Sequence, residues 1–147
     1  MSEENAPEIK VARLRYAGEE QFIGVSPSNH AVIASFAHGP STAATPMELL
    51  LISLGGCTGA DVYSILQKKR LRVTGYDIEV RGQRRQEHPR IYTHIEVIHT
   101  VKGYNIDEKS VARAIELSET KYCSVSAMLS ASAEITSRYV IEQESET

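Results

Sequence analysis

Two cysteines are the side chains in this sequence with the most chemistry to offer. Cys57 closes the run Gly55-Gly56-Cys57, and Cys123 stands in Lys121-Tyr122-Cys123-Ser124-Val125-Ser126. A thiol attacks through its thiolate, so the question for each is whether its surroundings favour the anion. Around Cys123 the pattern reads as a turn feeding a short helix. A cysteine at a helix N-terminus meets unpaired N–H groups and the positive dipole end, and Lys121 adds charge, so a thiolate is expected there. Cys57 alone reads most simply as a small buried hydrophobe. A second cysteine shifts that reading towards redox chemistry, although Asp61, one turn on, puts a like charge beside any thiolate at Cys57.

The element that must position Cys57 is a single long helix from Thr45 to Arg70. Thr45 is a cap, Pro46 has the φ wanted at the first helical position, and Glu48 sits where a capping-box acid belongs. Lys68, Lys69 and Arg70 crowd the negative end of the dipole. Met47 to Leu54 is apolar at nearly every position instead of along one stripe, so the helix is expected to be buried on most sides. Gly55 and Gly56 each cost about 1 kcal/mol inside a helix relative to alanine, which calls for the close approach of another backbone.

Before this helix the chain reads as a loose tail, Met1–Glu8, then three short strands, Ile9–Tyr16, Gln21–Val25 and His30–Phe36, with turns at Ala17-Gly18 and Ser26–Asn29. The small, polar stretch Ala37–Ala44 leads into the helix. After it, Val73–Arg84 and Ile91–Val101 alternate as the arms of a long hairpin, with Ile91, Ile95, Val97 and Val101 facing inward. The basic cluster Arg81, Arg84, Arg85 and Arg90 reads as a solvated hairpin tip. Asn105 with Glu108 caps a helix in which Val111, Ala114, Ile115 and Ser118 share a face, ending near Thr120. Glu134–Ile141 forms a last strand. The domain expectation is one domain over Ile9–Ile141, with a flexible tail over 142–147.

The chain has 147 residues and a formal net charge of −3, which suits one core and offers no basic field for nucleic acid or an anionic membrane. The start is polar and acidic without the apolar region of a secretory signal, and no uninterrupted apolar run reaches the roughly 18 residues of a membrane span. With only two cysteines and no CxxC, the chain reads as cytoplasmic, with room for thiol redox chemistry.

A Pro-x-Glu-Leu-Leu block, here Pro46-Met47-Glu48-Leu49-Leu50, leads to Gly55-Gly56-Cys57-Thr58 on a long helix. Cys123-Ser124-Val125-Ser126 follows on a second helix. This pair of motifs resembles the OsmC/Ohr family of hydroperoxide reductases, over roughly Ile9 to Ile141. The resemblance implies an α+β fold in an interlocked homodimer, with the long cysteine-bearing helices packed together. It implies that Cys57 is the peroxidatic cysteine and Cys123 the resolving one, acting on organic hydroperoxides in oxidative-stress defence. No bound cofactor is implied; an external dithiol, a lipoyl group in many family members, reduces the Cys57–Cys123 disulfide.

The chain departs from the Ohr pattern in two places. Those enzymes carry Glu directly after the motif proline and an Arg in the early strands, whereas here Met47 follows Pro46. Glu48 lies nine positions before Cys57, about 180° away round the helix, so it reads as a cap and not a catalytic acid. Neither Arg13 nor Arg15 inherits the arginine's role. A non-enzymatic stress protein holding an apolar ligand in the same fold is the alternative. Metal binding by Cys57, Cys123 and histidines such as His38, His88, His94 or His99 is the lesser rival and no ligand set is read: no two of these make a compact pair except His94 and His99, whose spacing puts them on opposite faces of a strand. An isolated strand histidine is expected to be exposed or half-buried.

Overall fold

The computed structural model describes residues 6–146, in two compact units that divide between Leu49 and Leu50. The first holds a three-stranded antiparallel sheet, β1 (Arg13–Gly18), β2 (Gln21–Val25) and β3 (Ala31–Ser35), in that order. The expected strands are present, but β1 starts at Arg13 instead of Ile9. Arg13 pairs with Val25, the last residue of β2, so residues 9–12 have no strand to pair with. The first turn also moves, from Ala17-Gly18 to Glu19-Glu20, both of which take positive φ, 53° and 58°. That is the pairing of signs a tight two-residue hairpin turn demands. Of the expected N-terminal tail, residues 1–5 lie outside the described residues.

Helix α1 (Pro46–Lys68) begins as the capping box requires: Thr45 N–H donates to Glu48 Oε1 at 2.8 Å, and Glu48 N–H donates to Thr45 Oγ1 at 3.3 Å. The carboxyl of Glu48 is held below its ordinary range by these hydrogen bonds. Taken as a whole helix, α1 is long and apolar enough by composition to cross a bilayer, although glycine, serine and threonine interrupt its apolar run. One side of α1 packs into the core. Leu54, Val62 and Leu66 are buried, the last two in one cluster with Val101, Ile106, Val111, Ala114 and Ile115. The expected burial on most sides is not met by the chain alone, since Leu50, Ile52 and Tyr63 are exposed.

The second sheet has the order β4 (Arg72–Arg84), β5 (Tyr92–Tyr104), β6 (Glu134–Gln143). Strands β4 and β5 form the expected hairpin, and Arg84 and Arg85 donate from Nε to the tip carbonyls of Arg90 and Pro89. Arg81 is not part of this group; it pairs with Glu79 and Glu96. Strand β6 pairs parallel to β5, and parallel neighbours need a crossover connection. That connection contains α2 (Glu108–Leu117), a π-helical turn over Ser118–Tyr122 and α3 (Ser124–Leu129). The cap of α2 is Asp107, which accepts from Ser110 N–H at 3.0 Å, and not the expected Asn105, which sits in the preceding turn at φ 54°. Strand β6 runs two residues past its expected end because Gln143 clasps Ile106, accepting from its N–H at 3.0 Å and donating to its carbonyl at 2.5 Å.

The centre of the sheet is more polar in composition than expected. His99 is fully buried on β5, in contrast to the half-exposed strand histidine read from the sequence. It lies in line with Ile95, Val97 and Val101, and its Nδ1 hydrogen-bonds the hydroxyl of Tyr76 on β4. Burial lowers the His99 pKa to about 4 and pushes that of Tyr76 well above the ordinary phenol range. His94, by contrast, is exposed.

Candidate functional site

Why α1 can lie so low over the second sheet is answered by its glycines. A Cβ on Gly59 would meet Ile78 Cδ1 at 2.4 Å, and one on Gly55 would meet Val80 Cγ2 at 3.1 Å. The close approach expected beside Cys57 therefore exists, but it is made by β4 side chains, and Gly59 matters more than Gly56, whose Cβ would meet nothing within 4 Å.

This seating carries Cys57, Thr58 and Asp61 towards the crossover. The π-helical turn is closed by Cys123 N–H donating to Ser118 O at 2.7 Å. Ser137 on β6 fixes it from the sheet side by donating its hydroxyl to the Glu119 carboxylate. Isolated π turns of this kind often mark functional positions. The turn ends on Cys123, the N-cap of α3, whose sulfur accepts from Ser126 N–H at 3.3 Å.

The two cysteines thus meet. Cys57 Sγ, Cys123 Sγ and a carboxylate oxygen of Asp61 all lie within 4.8 Å of one another. Both cysteines are free thiols; Cys57 is half-buried and Cys123 buried. Ser118, wholly buried, reaches Thr58 Oγ1 and Asp61 Oδ2, each at 2.9 Å. It has one proton to give, and the carboxylate is the stronger acceptor.

The electrostatics reverse the expectation for Cys123. Burial, the hydrogen bond to Cys57, and the charges of Cys57 and Asp61 together push its thiol up to about 11, against the opposing Ser126 N–H. One backbone donor at the end of a six-residue helix is outweighed by desolvation, the hydrogen bond to Cys57 and the nearby Asp61 charge. Cys123 is therefore a protonated thiol at neutral pH, and of the two sulfurs the one open to a reactant is Cys57.

The sequence reading named both sulfurs and Asp61's charge, but missed Ser118, the hydroxyl partner of Asp61, and Thr58, which Ser118 also reaches. The signal for Thr58 was its place in the turn between Cys57 and Asp61, whereas Ser118 read as one more residue on the inner face of α2.

The family model described as OsmC-like protein matches residues 39–138, a span that includes α1 and Cys123. The chain belongs to the OsmC-like family. Protein YhfA of Escherichia coli K12 is 39% identical over 130 residues, covering 88% of this chain and 96% of the relative. A crystal structure of a protein from Aquifex aeolicus superimposes with a TM-score of 0.84 at 35% identity, covering 95% of this chain and all of the other. An organic hydroperoxide resistance protein from Elizabethkingia anophelis gives a TM-score of 0.63 at 10% identity, covering 95% of this chain and 99% of the other. At that identity the likeness is one of fold. The family model and the 39%-identical relative establish the family, and the structural superpositions its α+β architecture.

Proposed function

We propose that this OsmC-like protein is a thiol-dependent peroxidase that reduces organic hydroperoxides in defence against oxidative stress. The observation that carries this reading is the mutual approach of Cys57 and Cys123 to within 4.8 Å, with only Cys57 half-open to a reactant. The Cys57 thiolate attacks the distal peroxide oxygen, the O–O bond breaks, and the departing alkoxide takes a proton to leave as alcohol. Cys57 is left as sulfenic acid. Cys123 then displaces water from that sulfur to give a Cys57–Cys123 disulfide, and an external dithiol, a lipoyl group being one such, reduces it.

The electrostatics support this order of events. While Cys57 is anionic, it helps hold Cys123 protonated. Oxidation to a neutral sulfenic acid removes both the charge and the thiolate acceptor, so the Cys123 thiol ionises more readily when it is needed. Exposed apolar side chains on the second unit, among them Ile52 at 63% and Met128 at 79% exposure, support a homodimer, because a monomer would leave them in water. A cytoplasmic location fits the reduced dithiol state on which the cycle depends.

The test is peroxide consumption by the reduced protein, with cumene hydroperoxide against hydrogen peroxide, and dihydrolipoamide against glutathione. Catalytic consumption with the dithiol, lost in Cys57→Ser, is expected. Retention of an apolar ligand with no peroxide consumed would instead favour a non-enzymatic binding protein.

A further inference from the structure

Asp61 is the group at the thiol pair that peroxide reduction does not use. An anion within 4.8 Å of both sulfurs works against any step that passes through a thiolate. It is nevertheless held there, with Ser118 donating to Oδ2 at 2.9 Å from a wholly buried position. That anchoring leaves acceptor capacity on the carboxylate that can be turned towards the sulfurs.

We propose that Cys57, Asp61 and Cys123 form a three-ligand site for one thiophilic divalent cation, Zn2+ above all. Two sulfurs and a carboxylate suit zinc better than the hard cations, which take oxygen alone. Tetrahedral zinc, with bonds of about 2.3 Å to sulfur and about 2.0–2.2 Å to oxygen, brings its ligand atoms roughly 3.5–3.8 Å apart. Atoms already within 4.8 Å of one another need to close by roughly 1 Å, which side-chain rotation supplies. Cys57 and Asp61 stand four apart on one face of α1, a spacing that lets two helix side chains share an ion. Cys123 joins from the crossover, and the fourth position falls to water, since Cys57 is half-open to solvent.

Binding breaks two S–H bonds and forms two S–Zn bonds. Two protons pass to the buffer, and no electron moves. The sulfur lone pairs are then committed to the metal, so zinc holds the pair reduced and closed to peroxide, while a disulfide excludes zinc. The site does not depend on the peroxidase reading, because ligation requires only the three side chains.

The experiment titrates Zn2+ into anaerobic, reduced protein against a chromophoric chelator, and repeats it with Co2+ to look for sulfur-to-cobalt charge-transfer absorption. One equivalent per chain with that absorption is expected. Blocking both thiols with iodoacetamide should abolish uptake, and Asp61→Asn should weaken it at least about ten-fold while both thiols still alkylate. Reduced wild type that takes up no Zn2+ at micromolar concentration would overturn the proposal, as would equal affinity in Asp61→Asn or in the blocked protein. Peroxide consumption is measured separately, so zinc uptake without peroxidase activity, or the reverse, tells which of the two readings fails.

Discussion

The sulfurs of Cys57 and Cys123 lie within 4.8 Å of each other although one belongs to α1 and the other to the crossover that returns the chain to β6. Two thiols so placed can form a disulfide with a small local adjustment. After one equivalent of cumene hydroperoxide, the wild type should lose two hydrogens in its intact mass. Cys123→Ser should gain one oxygen and stop, trapped by dimedone at Cys57, and Cys57→Ser should stay unmodified. A wild type that remains a free dithiol contradicts the peroxidase reading.

The buried thiol should also betray its neighbours in its pH dependence. In the reduced wild type, alkylation of Cys123 should rise with pH towards a midpoint near 11. Replacing Cys57 by serine removes two of the causes that raise it, so the midpoint in Cys57→Ser should be lower. Because the folded-state value lies above that of an unfolded thiol, the native state favours the protonated form, and stability should fall as the pH rises through this range. Peptide mass spectrometry of iodoacetamide labelling across the pH range reads the midpoints. An unchanged midpoint would mean that Cys57 exerts no control over Cys123.

His99 gives the opposite sign. Its pKa is near 4 in the folded protein and near 6.5 in an unfolded chain, so between those values the unfolded state binds more protons. Stability therefore rises with pH across this window and is lost as the pH falls from 6.5 towards 4. Urea melts of wild type and His99→Gln at several pH values should give a difference that shrinks on acidification. A difference independent of pH would show that His99 titrates normally.

Assembly can be tested on α1. Ile52 is exposed in the isolated chain, on a helix without a charged residue between Glu48 and Asp61. Light scattering should find a dimer for the wild type, and Ile52→Asp should shift it towards monomer. A wild type that is folded and monomeric at micromolar concentration would refute the interlocked dimer.

How far the sequence disclosed this arrangement differs from element to element. The capping box at Thr45 and Glu48 and the alternation along β4 were legible because they depend on residues a few positions apart. The cap of α2 slipped from Asn105 to Asp107 because both residue types serve as caps, and only backbone geometry separates them. The expected Cys123 thiolate failed for a deeper reason: the local helix end was visible, but burial outweighs it, and Cys57 and Asp61, which add to the effect, come from α1, far away in the chain. Ser118 could not be read as Asp61's partner, since the π turn that aims it has no pattern in the residues themselves. His99 looked exposed or half-buried from its residue type, although the alternation that turns Ile95, Val97 and Val101 inward puts it on the same buried face.

Gly59 joins the packing to the site, and the last prediction rests on it. Its absent side chain lets α1 settle where a Cβ would meet Ile78 Cδ1 at 2.4 Å. Gly59→Ala gains about 1 kcal/mol in helix propensity but incurs about 1–3 kcal/mol of overpacking, so it should be neutral to destabilising by about 2 kcal/mol. The clash is with a single methyl group, and Ile78→Val removes that methyl at its own expense of about 0.5–1.5 kcal/mol. In the Ile78→Val background, Gly59→Ala should therefore become stabilising, by up to about 1 kcal/mol. A double-mutant cycle from denaturant melts measures the reversal. Since Gly59 lies two residues from Cys57, Gly59→Ala alone should also slow disulfide formation, and Ile78→Val should restore the rate. If the two substitutions prove additive, the contact between Gly59 and Ile78 does not seat α1, and the meeting of the sulfurs must have another cause.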